Sequence, residues 1–198
     1  LATNTFSIDA VNDKPVRTAG NFSTLFFQED QAPALVGLQD LDYNPGGGSL
    51  EAEQSLNYAV TGLPDPALGQ IGTLSTDAEG NPVFTAITEP SAITLAQLRQ
   101  MAFKPAPEAA GQVSFSFTVT DSGSVDGDGN AITAPESITE AVNITILGFN
   151  DAPVLPATAI TLADGTEDTA YNFTAAQLLA GVTDPDITYA EDGVTEIS

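Results

Sequence analysis

From Val113 to Thr120 the chain alternates apolar and polar residues without a break, in the order Val-Ser-Phe-Ser-Phe-Thr-Val-Thr. A period of two is the signature of a half-buried strand, so Val113, Phe115, Phe117 and Val119 are expected on one buried face. Val142–Ile146 alternates in the same way. Shorter apolar runs at 22–27, 56–60, 71–74, 83–87 and 101–103 read as further strands. Clusters of Gly, Pro, Asn and Asp separate them, notably at 44–49, 62–66 and 77–82. The run Gly46-Gly47-Gly48-Ser49 has no nonapeptide repeat around it and reads as a turn or linker. About seven short strands punctuated by turns predict an all-β protein, an antiparallel β-sandwich of immunoglobulin-like type.

Two short segments break the pattern. Residues 94–98 (TLAQL) and 174–178 (TAAQL) each carry a Thr followed three residues later by a Gln. That spacing is a capping box, in which each side chain satisfies the other residue's backbone N–H at a helix start. Short helical turns are expected at both places. Leu95, Leu98 and Met101 would turn inward from the first, and Leu178 and Leu179 from the second.

The chain also repeats itself. Asn12-Asp13-Lys14-Pro15-Val16 matches Asn150-Asp151-Ala152-Pro153-Val154, 138 residues later. Glu29-Asp30 matches Glu167-Asp168 at the same displacement, and Phe6-Ser7-Ile8 matches Ile144-Thr145-Ile146. Asp40-Leu41-Asp42 matches Asp184-Pro185-Asp186 at 144, so the second copy gains six residues in between. These landmarks divide the chain into the end of one repeat (1–10), a complete repeat (11–149) and the start of the next (150–198). A sheet cut off after its first strands keeps raw edges and half a core, so residues 150–198 are expected to pack poorly alone.

Charge narrows the function. The chain of 198 residues has 27 acids and 4 bases, a formal charge of −23. No basic stripe is available to displace counterions from phosphates, which excludes an electrostatic nucleic-acid binder. Adsorption to an anionic membrane is disfavoured for the same reason. No apolar run approaches the ~20 residues that span a bilayer. No basic n-region opens the chain, which is therefore expected to be an internal slice of a longer protein. There is no Cys and no His, which removes thiol chemistry, disulfides and every Ser-His-Asp arrangement. Self-repulsion of this size opposes a compact fold unless something neutralises it, and divalent cations are the obvious candidates.

Strands that alternate in direction collect their loops at two ends of a sandwich. Asn12 and Asp13, Asp40 and Asp42, and Asp121 at the end of the 113–120 strand are expected at one end. Glu29 and Asp30, Glu108, Asn150 and Asp151 are expected at the other, facing Asp184 and Asp186 of the next repeat. Calcium takes six to eight oxygens from carboxylates, carbonyls and water and tolerates irregular geometry. Asp-x-Asp and Asn-Asp segments supply such oxygens at short spacing. Any single Asp is equally a turn-former, since its side chain bonds nearby backbone N–H groups. Repetition of the ordered set favours a metal. Asp126, Asp128 and Asn130 in DGDGN resemble the start of an EF-hand loop, but Ala131 and Ser137 stand where Gly and Glu belong. That segment reads as a local calcium site or as a flexible acidic loop.

Taken together, NDAPV at a joint, Glu-Asp some fifteen residues on, Asp-x-Asp, and FSFTVTDSG at 115–123 resemble the bacterial cadherin-like repeats of large RTX-type surface adhesins. The resemblance covers essentially the whole chain. It implies tandem immunoglobulin/cadherin-like sandwiches with Ca2+ at the joints. Asp121 matches the Asp that ends the family's strand. Asp40, Asp42, Asp184 and Asp186 match its Asp-x-Asp, while Asn12, Asp13, Asn150 and Asp151 match its linker ligands. Glu29 and Glu167 match the Glu of its first loop. The family's Asp-Arg-Glu motif is absent, and KPAPEAAG stands in its place, with Glu108 as the stand-in.

The resemblance therefore implies an extracellular, secreted module on a bacterial cell surface. Its partners would be neighbouring repeats of the same chain, with any host or matrix ligand engaged through other domains. The expected function is a calcium-rigidified extender that projects a distal binding region. The alternative is a module that itself binds a sugar or protein with the help of calcium, which would require an exposed aromatic patch or an open coordination position. An enzyme working through paired carboxylates is not expected, because the acids recur at joints and do not converge once.

Overall fold

The computed structural model describes residues 11–124 and 132–184, together with the backbone at 188–189 and 196–197. The chain divides into two compact units, Leu1–Gly148 and Phe149–Ser198. No helix among the described residues is long and apolar enough to cross a membrane.

The first unit is an all-β sandwich. One sheet has five strands in the order β2 (Leu25–Gln28), β11 (Ser137–Leu147), β10 (Gly111–Asp121), β5 (Leu56–Gly62) and β8 (Ser91–Ile93). The other has four, in the order β3 (Ala34–Leu35), β9 (Met101–Pro105), β6 (Gly69–Thr76) and β7 (Pro82–Ala86). A two-stranded ribbon pairs β1 (Val16–Ala19) with β4 (Asp42–Asn44). The pairing is not wholly antiparallel, as the sequence had suggested, because β2 runs parallel to β11, with Ile144 opposite Leu25.

The long hairpin of β10 and β11 sets the frame. Its register runs from Gly111 opposite Ile146 to Thr120 opposite Ser137. The period-two pattern of β10 buries Phe115, Phe117 and Val119, and that of β11 buries Val142, Ile144 and Ile146. Opposite them lie Ile71, Met101 and Phe103 of the second sheet. Phe27 and Phe103 meet edge to face across the two sheets, with ring centres 5.2 Å apart. Phe117 makes the same kind of contact with Phe22 and Tyr43. Each fully buried Phe, Ile or Leu contributes about 1.5–3 kcal/mol, so this core carries the unit.

Helix α1 (Leu95–Arg99) forms with its capping box complete: Gln97 N–H donates to the Thr94 hydroxyl and Thr94 N–H to the Gln97 side chain. It drives Leu98 to 0% exposure, and Met101 beyond it is equally buried.

The second unit contains α2 (Ala175–Leu178), capped in the same way by Thr174 and Gln177. It also has a single bridge between Val154 and Thr183 and the short pair β12 (Thr188–Tyr189) and β13 (Glu196–Ile197). None of its described side chains is buried. Leu178 and Leu179, expected to turn inward, are 43% and 60% exposed. The cap forms because it is local; the leucines stay exposed because the described residues of this unit assemble no core to receive them.

Residues at the spacings of the sequence repeat share a backbone feature. Asp30 and Asp168, 138 residues apart, are both left-handed, at φ 58° and 59°. Gly37 and Gly181, 144 apart, are left-handed as well, at 73° and 80°.

Candidate metal centres

Strand β10 ends at Asp121, and the strand's burial continues to that residue, which is 1% exposed. Its Oδ1 accepts three N–H groups: Asn12 Nδ2 at 2.8 Å, Gly123 N at 2.8 Å and Glu136 N at 3.1 Å. Its Oδ2 is buried and has no hydrogen-bond partner among the described residues. Asn12 also donates to the Ala134 carbonyl at 2.9 Å, so it is tied both to the end of β10 and to the segment that leads into β11.

Antiparallel pairing sends Asp40 and Asp42 elsewhere. In the β1–β4 ribbon Val16 lies opposite Asn44 and Ala19 opposite Asp42. Strand β4 therefore runs toward the Asn12–Asp13 joint and starts away from it. Asp42 sits at that start, paired with Arg99 at 3.5 Å, and the Arg99 Nε donates to the Leu41 carbonyl. Asp40 is an exposed turn residue. The expectation that these two acids join Asn12, Asp13 and Asp121 is thus corrected.

A residue the sequence reading passed over comes to the joint instead. Beyond β4 the chain turns through Gly46, Gly47 and Gly48 into a 3-10 turn at Gly48–Leu50 and brings in Glu51, which is 5% exposed. Both Glu51 carboxylate oxygens accept the Asp13 N–H, at 3.1 and 3.2 Å. Gln54 follows, donating from Nε2 to Asn12 Oδ1 at 2.7 Å and Ser124 Oγ at 3.3 Å. Its Oε1 is buried and unpartnered among the described residues.

The other end of the hairpin holds a second group. Glu29 is 8% exposed, and its N–H donates to the Leu147 carbonyl at 3.1 Å, extending the β2–β11 pairing. Asp30 and Glu108 are exposed, and each offers a carboxylate oxygen within 4.8 Å of the other. Both have left-handed backbones, at φ 58° and 55°. That conformation costs a non-glycine residue about 1–3 kcal/mol and collects at functional positions. For two exposed carboxylates at this separation the repulsion is about 1 kcal/mol in water, which the unit's core can bear. Strand β10 spans 11 residues, so the two ends are about 33 Å apart at ~3.3 Å per residue.

In the second unit, Asn150 is exposed and donates to the Asp151 carbonyl at 2.8 Å, and Asp151 is half-buried. Glu167 is exposed beside the left-handed Asp168, and Asp184 is half-buried. Asp126, Asp128, Asn130 and Asp186 lie outside the described residues.

The donors at both ends of the first unit are carboxylate, amide and hydroxyl oxygens, the set that suits a hard cation. The tyrosines Tyr43 and Tyr58 are buried in the core, 7% and 8% exposed, and burial pushes both phenols above their usual range. Neither is available to stack on a ligand. Comparison with known protein families, curated proteins and solved structures finds no match for this chain.

Proposed function

We propose that this chain is a calcium-rigidified extender module of a bacterial cell-surface adhesin, one of a series of repeats that hold a distal binding region away from the cell. The observation that carries this reading is the collection of oxygen donors at opposite ends of one sandwich, about 33 Å apart along β10. Asn12, Asp13, Glu51 and Asp121 gather at one end; Glu29, Asp30 and Glu108 gather at the other. A site at each end is what serial linkage requires, since each joint takes oxygens from two neighbours. The left-handed Asp30 and Asp168 at matching repeat positions support the serial arrangement.

Calcium's role here is mechanical. Bound ions cancel repulsion among carboxylates at the joint and fix the angle between modules. The remaining acidic surface keeps a long rod from associating with its neighbours. Extracellular modules bind calcium at about 10⁻⁴–10⁻³ M. At ten times its dissociation constant each ion stabilises the folded state by about 1.4 kcal/mol. For a unit of this size 1 kcal/mol moves the melting temperature by roughly 3 °C. Melting in millimolar calcium against melting with excess chelator should therefore differ by roughly 5–10 °C for two ions. An identical melting temperature in both would remove the basis for the proposal.

A further inference from the structure

We infer that the loop from Gly46 to Gln54 completes a divalent-cation site at the Asn12 end of the sandwich, with Glu51 and Gln54 as ligands beside Asp121. The inference rests on the proposed calcium-binding role of the module ends and names which residues hold the ion at one of them. Neither loop residue belongs to a motif visible in the sequence, and the Asp-x-Asp that does is held elsewhere by Arg99.

Three observations converge. The first is charge. Glu51 and Asp121 are both more than nine-tenths buried, and neither forms an ion pair with Lys or Arg among the described residues. The two ion pairs found there join Arg17 to Glu140 and Arg99 to Asp42. Buried carboxylates persist when paired or metal-bound and are costly otherwise.

The second is hydrogen-bond accounting. Asp121 Oδ1 is saturated with three donors while Oδ2 has none among the described residues. The two Glu51 oxygens share one backbone N–H between them, although a carboxylate has about four acceptor positions. Gln54 uses its Nε2 on Asn12 and Ser124 and leaves Oε1 buried without a partner among the described residues. Arg17 Nη1 and the Tyr43 hydroxyl are also buried without partners among the described residues, but Arg17 is a donor and the Tyr43 phenol can donate as well as accept. At the joint every unmet atom is an acceptor oxygen, and Asp121 and Gln54 grip the two ends of one side-chain amide, that of Asn12. A hard cation answers that pattern, with oxygens from carboxylates and amides together.

The third is the backbone. Gly46, Gly47 and Gly48 are left-handed in succession, at φ 98°, 44° and 66°. A Cβ added at Gly47 would collide with the Glu51 carboxyl carbon. The three glycines let the loop fold over its own acid and press that acid against the Asp13 backbone. A loop that served only as a connection would have no need to bury a carboxylate.

Calorimetric titration of the full chain with calcium chloride tests this. The parent is expected to bind calcium at more than one site. Glu51→Gln and Gln54→Leu are each expected to weaken one of those sites at least tenfold. Asp121→Asn should weaken the same site, and the double variant E51Q/D121N should affect that one site only, leaving the others as in the parent. Gly47→Ala, which displaces the Glu51 carboxylate without altering its charge, should weaken that site too. Glu79→Gln, in the exposed β6–β7 turn, should titrate like the parent. Near-UV dichroism of the buried tyrosines verifies that each variant is folded. If folded Glu51→Gln and Gln54→Leu both bind like the parent while Asp121→Asn loses an ion, the loop is not part of the site and the inference falls with the extender reading intact. If the parent takes up no calcium, both fall together.

Discussion

Asp121 and Asp77 show how much a carboxylate's meaning depends on its surroundings. Asp77 opens the turn between β6 and β7 and is fully met by local donors: Glu79 N at 3.1 Å, Asn81 N at 2.7 Å and Asn81 Nδ2 at 3.1 Å. These bonds, the Asn81 side chain first, hold its pKa below the ordinary value of 3.8. A depressed carboxylate pKa supports the fold above the unfolded pKa and withdraws that support as pH falls through the folded pKa. The turn should therefore keep its geometry at neutral pH and loosen only in acid. Asn81→Ala is expected to raise the Asp77 pKa toward 3.8, read from its carboxyl carbon shift across an NMR pH titration; no movement would mean the bonds do not form in solution. Asp77 is thus a turn-former, the ordinary use of Asp. Asp121 is the opposite case, buried with one oxygen unmet among the described residues.

Part of this difference was legible in the sequence. Asp121 ends an unbroken alternation, so its position at a sheet end followed from period two alone. Glu51 was not legible, because it lies in a stretch without periodicity and its burial depends on three consecutive left-handed residues. The signal that could have found it is Gly-Gly-Gly just ahead of an acid, since a run of glycines permits a loop to close on its own side chain.

At the scale of elements, strands long enough to show a period were the readable ones. The alternation at 113–120 and 142–146 lies within β10 and β11, each 11 residues long. Strands β1, β3, β4 and β8 have two to four residues, too few for alternation to stand out. Missing β4 had a consequence: without it, Asp42 reads as a loop residue after a strand, and the direction of the chain past the joint is lost. The parallel β2–β11 pair was equally hidden, since parallel and antiparallel strands share the same periodicity.

Helix caps are more local still, and both were readable from Thr and Gln alone. Their outcomes differ because packing is not local: α1 buries Leu98 completely, whereas α2 buries nothing. Replacing Thr94 by Ala is expected to cost about 0.5–2 kcal/mol of stability in urea unfolding of the first unit. The same change at Thr174 should leave that transition unaltered, because α2 belongs to the other unit. Equal effects at the two sites would contradict the division of roles.

For the whole molecule the governing number is the charge of −23. The sandwich folds around an uncharged core of 18 buried residues among those described, so burial balances the repulsion within one unit. The proposed extender reading assigns the work between successive modules to bound ions. The sequence repeat at 138 residues is what suggests serial modules, while which acids lie at each end of the first unit depends on strand direction.

The proposed stiffening is tested most directly by small-angle X-ray scattering of the full chain in millimolar calcium and again with excess chelator. The account predicts a sharply bounded distance distribution in calcium that broadens and lengthens on chelation, while near-UV dichroism shows the first unit still folded. Superimposable scattering curves in the two conditions would contradict it.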